Sequence, residues 1–389
     1  MVFKTYKMND MKGKQGLVCM GLLLVLSSCS CHTGKQITAS GLQRKDFQTE
    51  VNGQHTDLFT LSNKQGMEVC ITNYGARVVS ILVPDRNGKR EDVVCGFSTI
   101  TEYMEQRQNF GSTVGRYIGR ILNARFTLDG VEYKLVPNNG KSGHISHGGN
   151  PGFADRIWKV EQADTHRVRL SYLSPDGENG FPGNLKVTLV YSLGEDDNAL
   201  DLTYEATTDA PTVLNLSHHS FFNISGNFTK SVEDQQLWVD ADRFTPYDDK
   251  KCVTGEYLPV AGTPLDFRMP HTIGECIDAD HPQLKVVNGY DHTWELNTKG
   301  DDTRPAAWVY DPASGRKMEI FTTEPGMQIY TGNGLKGKMT GKGGIAYPFR
   351  SAVCFETMHF QDSPNQPGFP STVLRPGEVF RSHTVYKFE

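Results

Sequence analysis

Apolar and polar side chains alternate at every second position through long stretches of this 389-residue chain. That period of two restricts the fold more than any other feature, because successive side chains on an extended strand point to opposite faces. Phe126 and Leu128 precede Asp129-Gly130, and Val131, Tyr133 and Leu135 follow, the pattern of a hairpin closed by a two-residue turn. Leu185, Val187, Leu189 and Tyr191 alternate up to Glu195-Asp196-Asp197, and Leu200, Leu202 and Tyr204 then resume the alternation, predicting a second hairpin. Helical spacing is confined to residues 99–110, TITEYMEQRQNF, and no fixed-period repeat is present. The pattern predicts one all-β domain of packed antiparallel sheets.

The N-terminal segment departs from this pattern. Residues 11–29 begin with Lys12 and Lys14, continue through an apolar run from Leu17 to Leu26 and end in small residues before Cys29, as a secretory leader does. The run is shorter than the roughly 20 residues needed to span a bilayer. Leu26-Ser27-Ser28-Cys29 is similar to the bacterial lipobox, in which the cysteine is lipidated and becomes the mature N-terminus. An ordinary cleaved leader is the alternative, with Cys31 a neighbouring cysteine. The expected division is a lipoprotein signal over 1–28, a polar tether over 29–44 and a domain over 45–389. The expected location is across the inner membrane, lipid-anchored to the cell envelope and facing the periplasm, the anchor being the sole membrane contact.

The net charge of −5 includes four leader lysines against one aspartate, so the domain is more acidic than the whole chain. That argues against nucleic acid, which requires a basic face. Eight cysteines divide into Cys19, Cys29 and Cys31 near the front and Cys70, Cys95, Cys252, Cys276 and Cys354 in the body. An odd five is no disulfide framework. Cys70, Cys95 and Cys354 lie in apolar runs and read as buried free thiols.

Chemistry-bearing residues gather in five segments: HISHGGNPGF (144–153), NLSHHSFFN (215–223), GYDHTWEL (289–296), EPGMQIYTGN (324–333) and CFETMHFQDSPNQPGFPS (354–371). Glu356 follows an apolar strand ending at Phe355, which places it at a strand end facing a cleft, where partial burial would raise its pKa and strengthen it as a base. The bland alternative is a glutamate on the solvent face of an edge strand. His218 and His219 cannot both face a cleft if they share a strand, so one belongs to the site and the other to the interior.

In this order and at about this spacing, the five segments resemble the galactose mutarotase (aldose 1-epimerase) family over roughly residues 45 to 388. The resemblance implies a galactose mutarotase-like β-supersandwich of antiparallel sheets with an open concave face. It also implies interconversion of the α and β anomers of free hexoses such as galactose and glucose, with no cofactor. One group removes the proton from the C1 hydroxyl while another protonates the ring oxygen. By that resemblance Glu356 is the base and His219 the acid, while His147 in the HGG motif and Arg120 assist. Asp291 binds sugar hydroxyls, and Gln328 and Asn333, flanking Tyr330, line the cleft. His218 stands where the family commonly has Asn, Gly119 where it has Asn, and Met358 where it often has Gln, which puts the contacts of the last two in doubt. Arg116 rivals Arg120. Phe222, Trp294 and Phe355 either stack on the sugar or belong to the core. The expected partner is a free aldohexose, and the assembly a monomer or dimer.

Other readings start from the same residues. A metal site could draw on His144, His147 and the His218-His219 pair, but no CxxC or HExxH spacing supports it. A non-catalytic carbohydrate-binding lipoprotein would have no use for a matched acid and base. A glycoside hydrolase would need two carboxyl groups about 5 Å or 6.5–9.5 Å apart, for which Asp291 and Glu356 are the available pair. A phosphosugar epimerase would want more cations than Arg116 and Arg120.

Overall fold

A computed structural model describes residues 36–389. Three antiparallel sheets carry the architecture. The largest has nine strands, in the order Lys159–Ala163, Arg167–Ser174, Leu185–Leu193, Ala199–Thr208, Phe380–Phe388, Lys317–Thr322, Ala307–Tyr310, Gln236–Val239 and His271–Thr272. The C-terminal strand is therefore central, and this sheet closes only when the end of the chain is in place. A six-stranded sheet runs Phe221–Phe222, Val353–Met358, Gly326–Tyr330, Asp291–Glu295, Arg243–Thr245 and Leu258–Pro259. A four-stranded sheet contains Leu58–Ser62, Glu68–Thr72, Arg77–Pro84 and Arg90–Asp92.

The period of two builds the interior. Leu185, Val187, Leu189 and Tyr191 are fully buried in the main core, joined there by Leu200 and Leu202 from the paired strand and by Met327, Ile329, Val353 and Phe355 from the six-stranded sheet. Both predicted hairpins form. Leu128 pairs with Val131 across Asp129 and Gly130, both left-handed at φ 51° and 78°, as a tight hairpin turn requires. Leu193 pairs with Leu200 across the acidic loop.

The expected helix is Ile100–Gln106, capped by Thr99 and Glu102, which satisfy each other's backbone N–H groups. A second short helix, Pro282–Val287, was not expected, because six residues are too few to display a helical period. Its start is nevertheless marked by Pro282 at the first position.

Of the tether expected over 29–44, residues 36–44 are described, and they are folded. Ile37 bridges to Gln43, Leu42 is buried, and the backbone N–H groups of Ala39 and Ser40 donate to the Glu68 carboxylate at 2.7 and 3.2 Å. Residues 36–44 are thus folded onto the four-stranded sheet, and their polar composition concealed a buried turn. The signal over 1–28 and Cys29 lie outside the described residues. Among the described residues no helix is long and apolar enough to cross a membrane. Cys70, Cys95 and Cys354 are buried free thiols, as expected, and Cys252 and Cys276 are free and half-buried.

Candidate active site

Three strands of the six-stranded sheet supply the floor of a cleft. Thr293 lies opposite Gln328 and Gln328 opposite Glu356, while Asp291, Tyr330 and Cys354 form the adjacent row. Alternation then sorts the side chains by face. Asp291, Gln328, Tyr330, Glu356 and Met358 line the cleft, and Trp294, Met327, Ile329, Val353 and Phe355 enter the core. Glu356 is not at a strand end, since Val353–Met358 continues past it, and it is more deeply buried than the sequence suggested, at 3% exposure. Phe222, Trp294 and Phe355 all belong to the core, and the cleft aromatics are Phe221 and Tyr330. The cavity, about 250 Å³, suits a ligand smaller than the drug-sized molecules held by pockets of about 300–1,000 Å³.

The histidine doublet divides as strand geometry demands. Ser217–His219 pairs with Ser112–Val114. His218 turns inward, where Nε2 meets Ser220 Oγ at 2.6 Å, Nδ1 faces the Tyr191 hydroxyl at 3.4 Å and burial pushes its pKa down to about 3. His219 turns to the cleft, with Nε2 3.4 Å from Glu356 Oε1 and its ring stacked on Phe221 at 5.1 Å. Burial, with His147 beside it, holds His219 well below the usual imidazole range, and burial with Asp291 nearby holds Glu356 well above the usual carboxylate range, against the pull of Arg120. Both shifts disfavour separated charges and favour one proton held between the two groups.

His147 approaches His219 edge to face, with ring centroids 5.5 Å apart. Its backbone is left-handed at φ 52°, and Gly148 follows at φ 78°. A Cβ at Gly148 would lie 2.0 Å from the Gly115 carbonyl oxygen, so only glycine lets this loop close on the neighbouring chain. Burial pushes His147 down to about 4, with the Arg120 guanidinium adding to the effect. Nδ1 of His147 and Nδ1 of His219 are both buried without a partner among the described residues.

Arg120 also lines the cleft. Burial alone would lower its pKa, but the Tyr247 hydroxyl and the Asp291 carboxylate outweigh that and raise it. Asp291 Oδ1 accepts from Gln328 Nε2 at 2.6 Å, and burial raises the Asp291 pKa despite Arg120 and Gln328. Arg116 does not compete for this place. It is buried elsewhere, donating to the carbonyl oxygens of Pro182, Gly183 and Ser174 at 2.7, 3.0 and 3.1 Å. Asn333 is likewise structural, donating to the carbonyls of Val287 and Tyr290.

The cleft residues that the sequence reading missed include Gln108, Asn109, Ser146 and Gln361, and Gln361 donates a 2.7 Å hydrogen bond to the Tyr247 hydroxyl. Gln361 follows the Val353–Met358 strand in a loop with no periodicity, and its position depends on a contact with Gly119 that only the folded chain creates. Met358 lines the cleft but offers only a thioether there.

The histidines proposed as metal ligands do not converge. His144 Nδ1 accepts from the Asn123 N–H, and its Nε2 faces Cys252 Sγ at 3.3 Å. His219, Cys354 and Glu356 do bring ligand atoms within 4.8 Å of one another. Burial, however, raises the Cys354 thiol and the Glu356 carboxyl well above their usual ranges, which weakens both as metal ligands, since a metal needs deprotonated donors.

The chain is similar to known proteins. A family model described as aldose 1-epimerase matches residues 57–387. The galactose mutarotase of Sus scrofa is 39% identical over 330 residues, covering 85% of this chain and 93% of the relative. The aldose 1-epimerase of Escherichia coli K12 is 36% identical over 339 residues, covering 87% and 96%. Among solved structures, an aldose epimerase homologue from C. elegans superposes with a TM-score of 0.79 at 31% identity, covering 86% of this chain and 99% of that one. A galactose 1-epimerase from Lactobacillus acidophilus gives 0.76 at 28% identity, with 88% and 97% covered. The all-β, mutarotase-like sandwich of antiparallel sheets expected from the sequence is therefore the fold, and the chain belongs to the aldose 1-epimerase family.

Proposed function

We propose that this protein is an aldose 1-epimerase, an isomerase that interconverts the α and β anomers of free aldohexoses such as galactose and glucose. The observation that carries the assignment of roles is the meeting of Glu356 Oε1 and His219 Nε2 at 3.4 Å in a buried polar cleft. Glu356 takes the proton of the C1 hydroxyl, and the electron pair left on O1 forms the C1 carbonyl. The C1–O5 bond breaks, and its electrons leave on the ring oxygen, which receives a proton from His219. After rotation about C1–C2, His219 takes the proton back from the C5 hydroxyl, whose oxygen attacks the other face of the C1 carbonyl, and Glu356 returns its proton to O1. The pair carries one proton before and after; the opposed shifts favour the neutral pair, so the proton passes from Glu356 to His219 before the carboxylate acts as base.

His147, neutral at ordinary pH, supplies a hydrogen bond at or beside the ring oxygen. Arg120 stabilises negative charge developing on oxygen, and Asp291, oriented by Gln328, accepts hydroxyls on the far side of the ring. A module that only bound carbohydrate would not require an acid and a base in contact. Polarimetry on freshly dissolved α-galactose and α-glucose tests the activity: the rotation should reach its equilibrium value faster with protein than without. An unchanged rate with both sugars would sink the assignment.

The leader supports a further reading, export and lipid attachment at Cys29, which would hold the enzyme to the envelope facing the periplasm. Labelled palmitate should be incorporated by the parent protein and lost in Cys29→Ser. Label retained in that variant would point to Cys31, and no label in the parent would point to an ordinary cleaved leader.

A further inference from the structure

Gln361 is almost wholly buried, at 4% exposure, yet it lines the cleft. Its amide orientation is determined by its neighbours. Gln328 Oε1, already accepting from the Thr293 hydroxyl, lies 3.3 Å from Gln361 Nε2 and can only accept. The Arg120 backbone N–H lies 3.3 Å from Gln361 Oε1 and can only donate. Nε2 therefore spends both hydrogens, on Tyr247 at 2.7 Å and on Gln328. Oε1 holds one long hydrogen bond and keeps a lone pair for the cleft.

The side chain is also held by shape. Gly119 sits at φ 74°, and a Cβ there would lie 2.5 Å from Gln361 Cγ. The space beside Arg120 is thus filled by Gln361 because position 119 has no side chain. Through Gln328, whose Nε2 donates to Asp291 Oδ1, the amide belongs to one hydrogen-bonded row with the Asp291 carboxylate. The row presents two fixed acceptors to the cavity.

We propose that Gln361 is a specificity residue: its Oε1 accepts a sugar hydroxyl adjacent to the one taken by Asp291, so the site selects sugars carrying both. This rests on the epimerase reading. A site built to bond a hydroxyl discriminates against an analogue lacking it, because the buried polar group is left unpaired.

The test is polarimetric kcat and KM for glucose and its 2-, 3-, 4- and 6-deoxy analogues, with the parent protein, Gln361→Met and Gln361→Glu. Met matches the unbranched shape without an oxygen, and Glu keeps one. In the parent, at least one analogue should fall by ~10-fold or more in kcat/KM, the loss typical of one hydrogen bond. Gln361→Met should lower glucose by a similar factor, chiefly through KM, while leaving that analogue where the parent has it. Gln361→Glu should retain the discrimination. Equal losses for glucose and every analogue in Gln361→Met would mean that Gln361 only supports the fold of the site, and would overturn the assignment. If Gln361→Met does not fold, loss of discrimination in Gln361→Glu overturns it instead. Failure of the parent protein to accelerate any sugar would overturn the epimerase reading itself, and this assignment with it.

Discussion

Buried polar groups in the core and in the cleft differ in how their neighbours partner them. In the core, Arg116 spends both terminal nitrogens on backbone carbonyls and a serine, and His218 has a partner at each ring nitrogen. In the cleft, among the described residues, Nδ1 of both His147 and His219 has no partner, and the Glu356 carboxylate meets His219 at 3.4 Å. The contrast is sharpest between neighbours in sequence, His218 against His219 and Arg116 against Arg120. Burying a polar group without a partner costs free energy, and such atoms also occur in the core, Arg116 Nε and Ser80 Oγ among them, so it is their convergence on one polar cavity that marks bonding capacity left for a ligand.

If that division is real, substitutions should separate stability from activity. The largest effect on turnover belongs to the cleft: His219→Asn should lower kcat by ~10²–10⁴-fold, the usual contribution of a positioned acid or base, with sugar binding retained and the melting temperature little changed. The core counterpart is Arg116→Met, which strands at least three carbonyl acceptors and should cost about 3–5 kcal/mol in denaturant unfolding. Its kcat per folded molecule should stay near that of the parent. Loss of turnover in Arg116→Met with unchanged stability would break the comparison.

Asp291→Asn should act more mildly, raising KM ~10-fold through a weakened hydrogen bond. It should also move the pH profile. The productive pair holds one proton, so kcat/KM falls in acid when a second proton binds and in alkali when the last one leaves. Asp291 raises the Glu356 pKa. Removing its charge should therefore shift the alkaline arm to lower pH, and a shift the other way would contradict the coupling.

The smallest effect lies far from the cleft, where His383 sits between Asp201 and Asp302, at 3.2 and 2.7 Å, and has a raised pKa, chiefly through its bond to Asp201. A raised histidine pKa stabilises fully below the unfolded value of about 6.5 and loses that contribution as pH rises through the folded value. With each of these side chains about a third exposed, the contribution should not exceed about 1 kcal/mol. Melting temperature followed from pH 6 upward should decline in the parent, and His383→Gln should remove that part of the decline.

The division between core and cleft was partly legible in the sequence. Alternation located both hairpins, and it required His218 and His219 to face opposite ways. It also sorted the GYDHTWEL and CFETMHF segments into cleft and core residues once their strands were known. The family motifs, not periodicity, supplied Arg120, His147 and Asp291. Gln361 was missed because it lies in no periodic segment and its approach depends on the empty Cβ position at Gly119, and Tyr247 because it reaches the site only through its hydrogen bonds to Gln361 and Gln328. The burial of residues 36–44 was missed for a related reason: hydrogen bonds to Glu68 fold that turn, and composition does not report them.

The central claim is that Glu356 and His219 act as a single acid–base unit, and the most direct measurement is polarimetric turnover of α-galactose by Glu356→Gln, with sugar binding followed on the same sample. The account predicts that turnover falls by ~10²–10⁴-fold while binding persists, and that adding His219→Asn costs little more, since groups acting as one unit are not additive. Near-parental turnover in Glu356→Gln, or losses that multiply in the double variant, would contradict it.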